Sequence, residues 1–211
     1  MKRFADLTAL TILLALTVVS AHCGESREVR AKRLAEVLGL KPGSVVADIG
    51  AGDGEWTIEL ARLVAPEGRV LANEIDEEAL SKLKKAVRRS RLDNVDATLG
   101  AEDRTGLEAD SCDAVLLRHV YHHFTQPEAM RADLLRILKP GGLLAVVDFN
   151  PDKSLSRSNV PKFRKGHGVE PDAIQQELTA AGFSLVDRRE KWEDGSKDFL
   201  LLFQRPEGSA P

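Results

Sequence analysis

The residues with the clearest chemical content lie in one run, VVADIGAGDGEWTIELA, at positions 45–61. An apolar stretch carries Asp48, passes through Gly50, Gly52 and Gly54, and then becomes helical. Glycines so spaced let a backbone bend sharply and approach a ligand with no Cβ in the way. In the dinucleotide loop, G-x-G-x-x-G, amides at a helix start surround a pyrophosphate. Here the third glycine comes one residue early, and Glu55 puts a carboxylate where the diphosphate would dock. Asp48, one residue from the end of its strand, suits a cationic or amino-bearing group. Glu74 follows Gly54 by twenty residues, at the end of the next strand, where a carboxylate accepts hydrogen bonds from ribose hydroxyls. The inferred ligand has a ribose and a cationic part but no diphosphate. A second run, Arg118-His119-Val120-Tyr121-His122-His123-Phe124, holds groups able to take up a proton near neutral pH or orient an acceptor.

The elements that must hold these residues alternate along the chain. Helical spacing is predicted within SREVRAKRLAEVLGL, with Val29, Leu34, Val37 and Leu38 apolar, and over 55–64, 77–89, 127–138 and 171–181. Strands are predicted at 44–49, 69–75, 96–99, 113–117, 143–149, 183–190 and 198–204. Lys139-Pro140-Gly141-Gly142 reads as a turn, and 150–169 as a long loop of the kind that is often functional. Strands alternating with helices predict an α/β fold, a doubly wound and mostly parallel sheet with helices on both faces. The last two strands are joined by Glu193-Asp194-Gly195-Ser196 without a helix, which predicts an antiparallel hairpin at one edge. In such a sheet ligands sit beyond the carboxyl ends of the strands, where the glycine turn lies.

At these residues the chain resembles the class I S-adenosylmethionine-dependent methyltransferases, whose first motif, D-x-G-x-G-x-G, matches Asp48, Gly50, Gly52 and Gly54. Their acidic residue on the second strand matches Glu74, and the similarity runs from about Leu34 to Gln204, including LKPGG and AAGF. The resemblance implies a seven-stranded sheet of order 3-2-1-4-5-7-6 with the seventh strand antiparallel, S-adenosyl-L-methionine as methyl donor, and in-line attack by an acceptor. Asp48 and the glycine backbone would then position the methionine part, and Glu74 the ribose. Relatives usually carry an acidic residue directly after the glycine of the third strand, for the adenine amino group. Here Gly100 is followed by Ala101, and the role falls to Glu102 or Asp103, with Asp103 preferred.

The histidine run follows the fourth strand, where the acceptor would meet the methyl group, and His122, His123 and Tyr121 are its candidate catalytic residues. A metal is not expected, since adjacent histidines at a helix start diverge and no carboxylate falls at ligand spacing. His167, within KFRKGHGVE, either covers the acceptor pocket or caps the last helix; Lys162, Arg164 and Lys165 read as a solvated loop face. Asp76 reads as a helix N-cap, Trp56 as packing beside the glycine loop, and Cys112 as a small apolar residue at the start of a strand. No N-P-P-Y-like segment stands where RHVYHHF does, which lowers nucleic-acid bases as acceptors without choosing among small molecules, lipids and proteins; a small-molecule acceptor is expected. The rivals are a noncatalytic nucleoside-binding or scaffold protein on this fold, and an NAD-dependent oxidoreductase, which Glu55 disfavours.

Composition bounds the rest. The 211 residues, 43% hydrophobic, suit one core, and 30 basic against 33 acidic residues, well mixed, present no basic stripe for nucleic acid. Residues 1–23 read as a signal peptide or lipoprotein-type leader, 24–206 as one domain and 207–211 as a flexible tail. Lys2 and Arg3 precede an uncharged stretch, 7–21, shorter than the ~20 residues that span a bilayer. Cleavage after Ala21 would export the chain, and lipidation of Cys23 would hold it at a membrane; an unprocessed leader would leave it in the cytoplasm.

Overall fold

The structure is a computed structural model that describes residues 25–151, 168–193 and 196–208. The leader, His167 and the basic residues of the long loop lie outside the described residues.

The chain opens with α1 (Arg27–Val37), capped by the Ser26 hydroxyl, which accepts from the Val29 amide. It buries Ala31, Leu34 and Ala35. Val29 was expected on that face but is exposed, because at 3.6 residues per turn it lies on the side of the helix opposite Ala31 and Leu34, the side turned away from α2 (Glu55–Val64). Between them β1 (Val45–Ile49) is buried at its last four positions, as a strand covered on both faces must be. β2 (Arg69–Glu74), α3 (Glu77–Arg89), β3 (Val95–Leu99) and β4 (Cys112–Arg118) follow. Asp76 caps α3 by accepting from the Ala79 amide at 2.7 Å, as its type and place predict. A single 3-10 turn, Tyr121–His123, leads to α4 (Pro127–Ile137), then β5 (Leu138–Phe149), α5 (Pro171–Ala180), β6 (Ser184–Arg189) and β7 (Asp198–Gln204).

The sheet order is β3-β2-β1-β4-β5-β7-β6. Neighbours from β3 to β5 pair in parallel, while β7 runs antiparallel to both β5 and β6. Leu138, expected to end the preceding helix, and residues 139–142, expected as a turn, extend β5 instead. Leu138 pairs with Cys112 and Leu143 with Ala114, so the register against β4 shifts across 139–142, while the Gly141 amide and Gly142 carbonyl both bond to the Arg205 backbone. Strand alternation divides the core. Val46, Ala114, Leu116 and Val147 pack toward α1 and α2, while Ile49, Val115, Leu117 and Val146 pack toward α4 and α5. Cys112 is buried and free. Among the described residues no helix is long and apolar enough to cross a membrane.

Candidate functional site

The order places β1 and β4 side by side at the centre, with helices leaving on opposite faces, so their carboxyl ends splay apart. A cleft of about 300 Å³ opens there, and its lining includes Gly50, Val120, Glu74, Glu102, His119 and His123. The turn holds its shape because the Asn73 carbonyl accepts from both the Gly50 and Ala51 amides, at 2.9 and 3.0 Å. Gly50, at φ 71°, leaves no room for a side chain, since a Cβ would overlap Val120. Gly52 and Gly54 also take positive φ, and Gly54 forms the amino end of α2 with no side-chain cap.

Glu74 is 8% exposed and reaches into this turn. Its Oε2 accepts from the Gly52 amide at 2.8 Å, and its Oε1 accepts from the Ile75 and Asp76 amides at 2.7 and 3.0 Å. An ionised carboxylate offers about four lone pairs, so capacity remains for a ligand hydroxyl. Asp48 is placed differently. It is 3% exposed, accepts the Thr57 hydroxyl at 2.6 Å and lies beneath the turn, outside the cleft lining. Burial lifts its carboxyl to about 6, with Thr57 and Arg118 pulling down and the Glu74 charge pushing up. Its carboxylate thus ties the end of β1 to α2 through Thr57.

The two carboxylates after β3 separate. Glu102 lines the cleft and accepts the Thr125 hydroxyl at 2.8 Å, whereas Asp103 turns to Arg104, at 3.2 Å, and is absent from the lining. Of the two, Glu102 is the carboxylate that borders the cleft. The loop that carries them is directed by Asn73, whose side-chain amide donates to the Thr105 carbonyl, and by Asp133, which accepts from the Thr105 amide and hydroxyl.

The 3-10 turn likewise distributes its side chains, since successive residues point about 120° apart. His123 faces the cleft. Tyr121 is fully buried, donates to Glu177 at 2.7 Å and has its hydroxyl pKa raised by burial, so it faces α5 and not an acceptor. His122 is 2% exposed, with Nδ1 at 2.9 Å from both Asp148 oxygens and its ring 4.0 Å from that of His123. Of the three catalytic candidates, only His123 reaches the site. His119, not among them, lines the cleft at φ 55° with Nε2 2.9 Å from Asp198. Ile75, Phe124 and Met130 supply apolar lining; helical spacing placed Met130 on an inward face and Phe124 closes the histidine run, while Ile75 was read only as part of a strand. Among the described residues no three His, Cys, Asp or Glu side chains are grouped to hold a metal.

Comparison with known proteins agrees with this geometry. Residues 47–146 match a family model described as a methyltransferase domain. An arsenite methyltransferase of Halobacterium salinarum is 26% identical over 167 residues, 76% of this chain and 42% of that protein. The ubiquinone/menaquinone biosynthesis C-methyltransferase UbiE of Teredinibacter turnerae is 32% identical over 122 residues, 57% of this chain and 49% of its own. The chain thus spans less than half the length of these curated relatives. A crystal structure of a SAM-dependent methyltransferase from Aquifex aeolicus superposes with a TM-score of 0.70 at 22% identity, covering 83% of this chain and 89% of that one, which establishes the fold.

Proposed function

We propose that the chain, which matches a methyltransferase-domain model over residues 47–146, is a class I S-adenosylmethionine-dependent methyltransferase and that it methylates a small-molecule acceptor in the cleft between β1 and β4. The observation that carries the reading is the convergence of Gly50, Glu74, Glu102 and His123 on one apolar-walled cleft at the carboxyl edge of the sheet. These residues fit the donor. The Gly50 backbone leaves room for close approach, Glu74 keeps acceptor capacity for a ribose, and Glu102 stands across the cleft for an adenine amino group. S-adenosylmethionine supplies an electrophilic methyl carbon, which the acceptor atom attacks in line.

The protein's part is mostly positioning, which accounts for a large share of the barrier in such transfers. Val120 and Phe124 exclude water from the centre, and His123 orients the acceptor or takes up its proton. The relatives named above are, by their names, an arsenite methyltransferase and a C-methyltransferase of ubiquinone/menaquinone biosynthesis, which supports a small acceptor here. The leader carries a separate proposal: processing after Ala21 or lipidation of Cys23, decided by mass spectrometry of the mature amino terminus. Calorimetry with S-adenosylmethionine, its demethylated product S-adenosylhomocysteine, and NADH tests the donor. Binding of the first two without NADH is expected, and NADH binding in their place would overturn the assignment.

A further inference from the structure

Away from the cleft, α3 carries a charge pattern that the proposed site does not use. The 30 basic and 33 acidic residues are well mixed over the chain as a whole, yet positions 79–92, ALSKLKKAVRRSRL, hold Lys82, Lys84, Lys85, Arg88, Arg89 and Arg91 and no acidic residue. The helix turns Leu80, Leu83 and Val87 into the core, so at about 100° per residue Lys84, Lys85, Arg88 and Arg89 fall together on the opposite side, and all four are exposed.

Several other helical cations stand one turn from a carboxylate. Lys32 pairs with Glu28, Arg62 with Glu59, Lys82 with Glu78 and Arg136 with Asp133. The end of α3 does the reverse. Lys84 and Arg88, like Lys85 and Arg89, are i,i+4 neighbours of the same charge, an arrangement that destabilises a helix. No side-chain hydrogen bond or ion pair joins these four to any described residue, and the nearest carboxylates in sequence, Glu77, Glu78 and Asp93, do not pair with them. The helix macrodipole accounts for Arg88 and Arg89 in the last turn, but not for Lys84 and Lys85 a turn earlier.

Such a face suits an extended anionic partner, and since its apolar side is already buried in the core, the contact is electrostatic and without insertion. Its place in the molecule favours lipid over nucleic acid. Arg27, the first residue of α1, lines a groove with Lys82 and Arg89, which also holds the Arg27–Glu55 and Arg62–Glu59 pairs. The leader therefore joins the domain beside this face, and Cys23 precedes Arg27 by four residues, a reach of at most about 14 Å. Membrane contact of the leader, through its uncharged stretch or a lipidated Cys23, would bring headgroups to α3. The helix starts near Glu74 at the cleft and ends at the opposite edge of the sheet, so a surface held by its last turns leaves the cleft uncovered.

We propose that Lys84, Lys85, Arg88 and Arg89 form a docking face for an anionic lipid bilayer, a role separate from the cleft and from the methyltransferase reading.

Cosedimentation of the full chain with vesicles tests it, using phosphatidylcholine alone or in equal parts with phosphatidylglycerol. A chain of net charge -3 is repelled as a whole by an anionic surface, so a preference for phosphatidylglycerol reports a local face. Wild type is expected to bind the mixed vesicles at least tenfold more tightly, an advantage lost at about 1 M salt, where the Debye length is about 3 Å. Lys84→Gln/Lys85→Gln/Arg88→Gln/Arg89→Gln should remove the advantage. Lys84→Gln/Lys85→Gln, which keeps the cations of the last turn, should remove about half of it on a logarithmic scale; urea denaturation checks that both variants fold. Lys2 and Arg3 of the leader are common to all these chains and drop out of the comparison. A control with the exposed Arg104, Arg189, Lys191 and Lys197 changed to glutamine has the same net charge as the fourfold variant and should bind as wild type does. An equal loss in that control would reduce the effect to net charge and overturn the proposal, as would wild type that binds both vesicles alike. Wild type that binds a short DNA duplex through the same four residues, without preferring phosphatidylglycerol, would also overturn it and make α3 a nucleic-acid face.

Discussion

Glu74→Ala offers the sharpest test of the site. The native carboxylate holds three backbone amides and, in the proposed complex, the ribose. A hydrogen bond to a charged group contributes about 1.5–3 kcal/mol, so loss of the ribose contact should weaken S-adenosylhomocysteine by roughly 10- to 150-fold. The same substitution strips the Gly52, Ile75 and Asp76 amides of their acceptor and should destabilise the fold by about 1–3 kcal/mol. These two consequences can be separated. A donor analogue without the ribose hydroxyls should already have lost the contact, and so should bind wild type and Glu74→Ala with similar affinity. Calorimetry with both ligands completes a double-mutant cycle, and urea denaturation gives the stability. Unchanged S-adenosylhomocysteine affinity would refute the ribose role. An equal loss with the analogue would show that Glu74 acts only by shaping the glycine turn.

Other outcomes follow from neighbouring residues. With the Asp48 carboxyl lifted from 3.8 to about 6, the folded protein keeps this proton to higher pH than the unfolded chain does. Its contribution to stability is present below about pH 4 and is lost as pH rises through about 6, a difference of about 3 kcal/mol at 1.36 per unit. Asp48→Asn, which keeps an oxygen for Thr57, should therefore gain on wild type from low to neutral pH in urea denaturation; a gap independent of pH contradicts this. Gly50→Ala should abolish donor binding and unfold at lower urea than Gly52→Ala, because both take positive φ but only Gly50 faces Val120 across the turn. Equal midpoints would remove the steric argument. Tyr121→Phe should cost about 1 kcal/mol of stability through the lost Glu177 bond and leave S-adenosylhomocysteine affinity unchanged; a weakened affinity would return Tyr121 to the site.

Much of the site was legible because its parts are local. The glycines, the strand before them and the helix after them lie within one run, and Glu74 is marked by its place at the end of the next strand. Asp76 was recognisable as a cap for the same reason. The direction of individual side chains was not. Glu102 and Asp103 are adjacent and chemically alike, and the choice between them is made by Asn73 and Asp133, which fix the loop from two other elements. Residues 138–142 contain Pro and two glycines, and partners distant in sequence, Cys112, Gln204 and Arg205, hold them in β5.

By itself the sequence determined the alternation of strands and helices, the position of a sharp turn at the end of β1, and a ligand with ribose and without diphosphate, since each rests on periodicity or on residue types a few positions apart. The tertiary structure decided which side chains meet in the cleft. Sheet order brings β4 against β1, and β7 into the same sheet beside β5, so that His119 finds Asp198 and Arg118 finds Trp56. The 3-10 turn sends Tyr121 and His122 into the core and leaves His123 outside it. Contacts between residues so far apart in the chain depend on packing the whole sheet at once, and no local pattern encodes them.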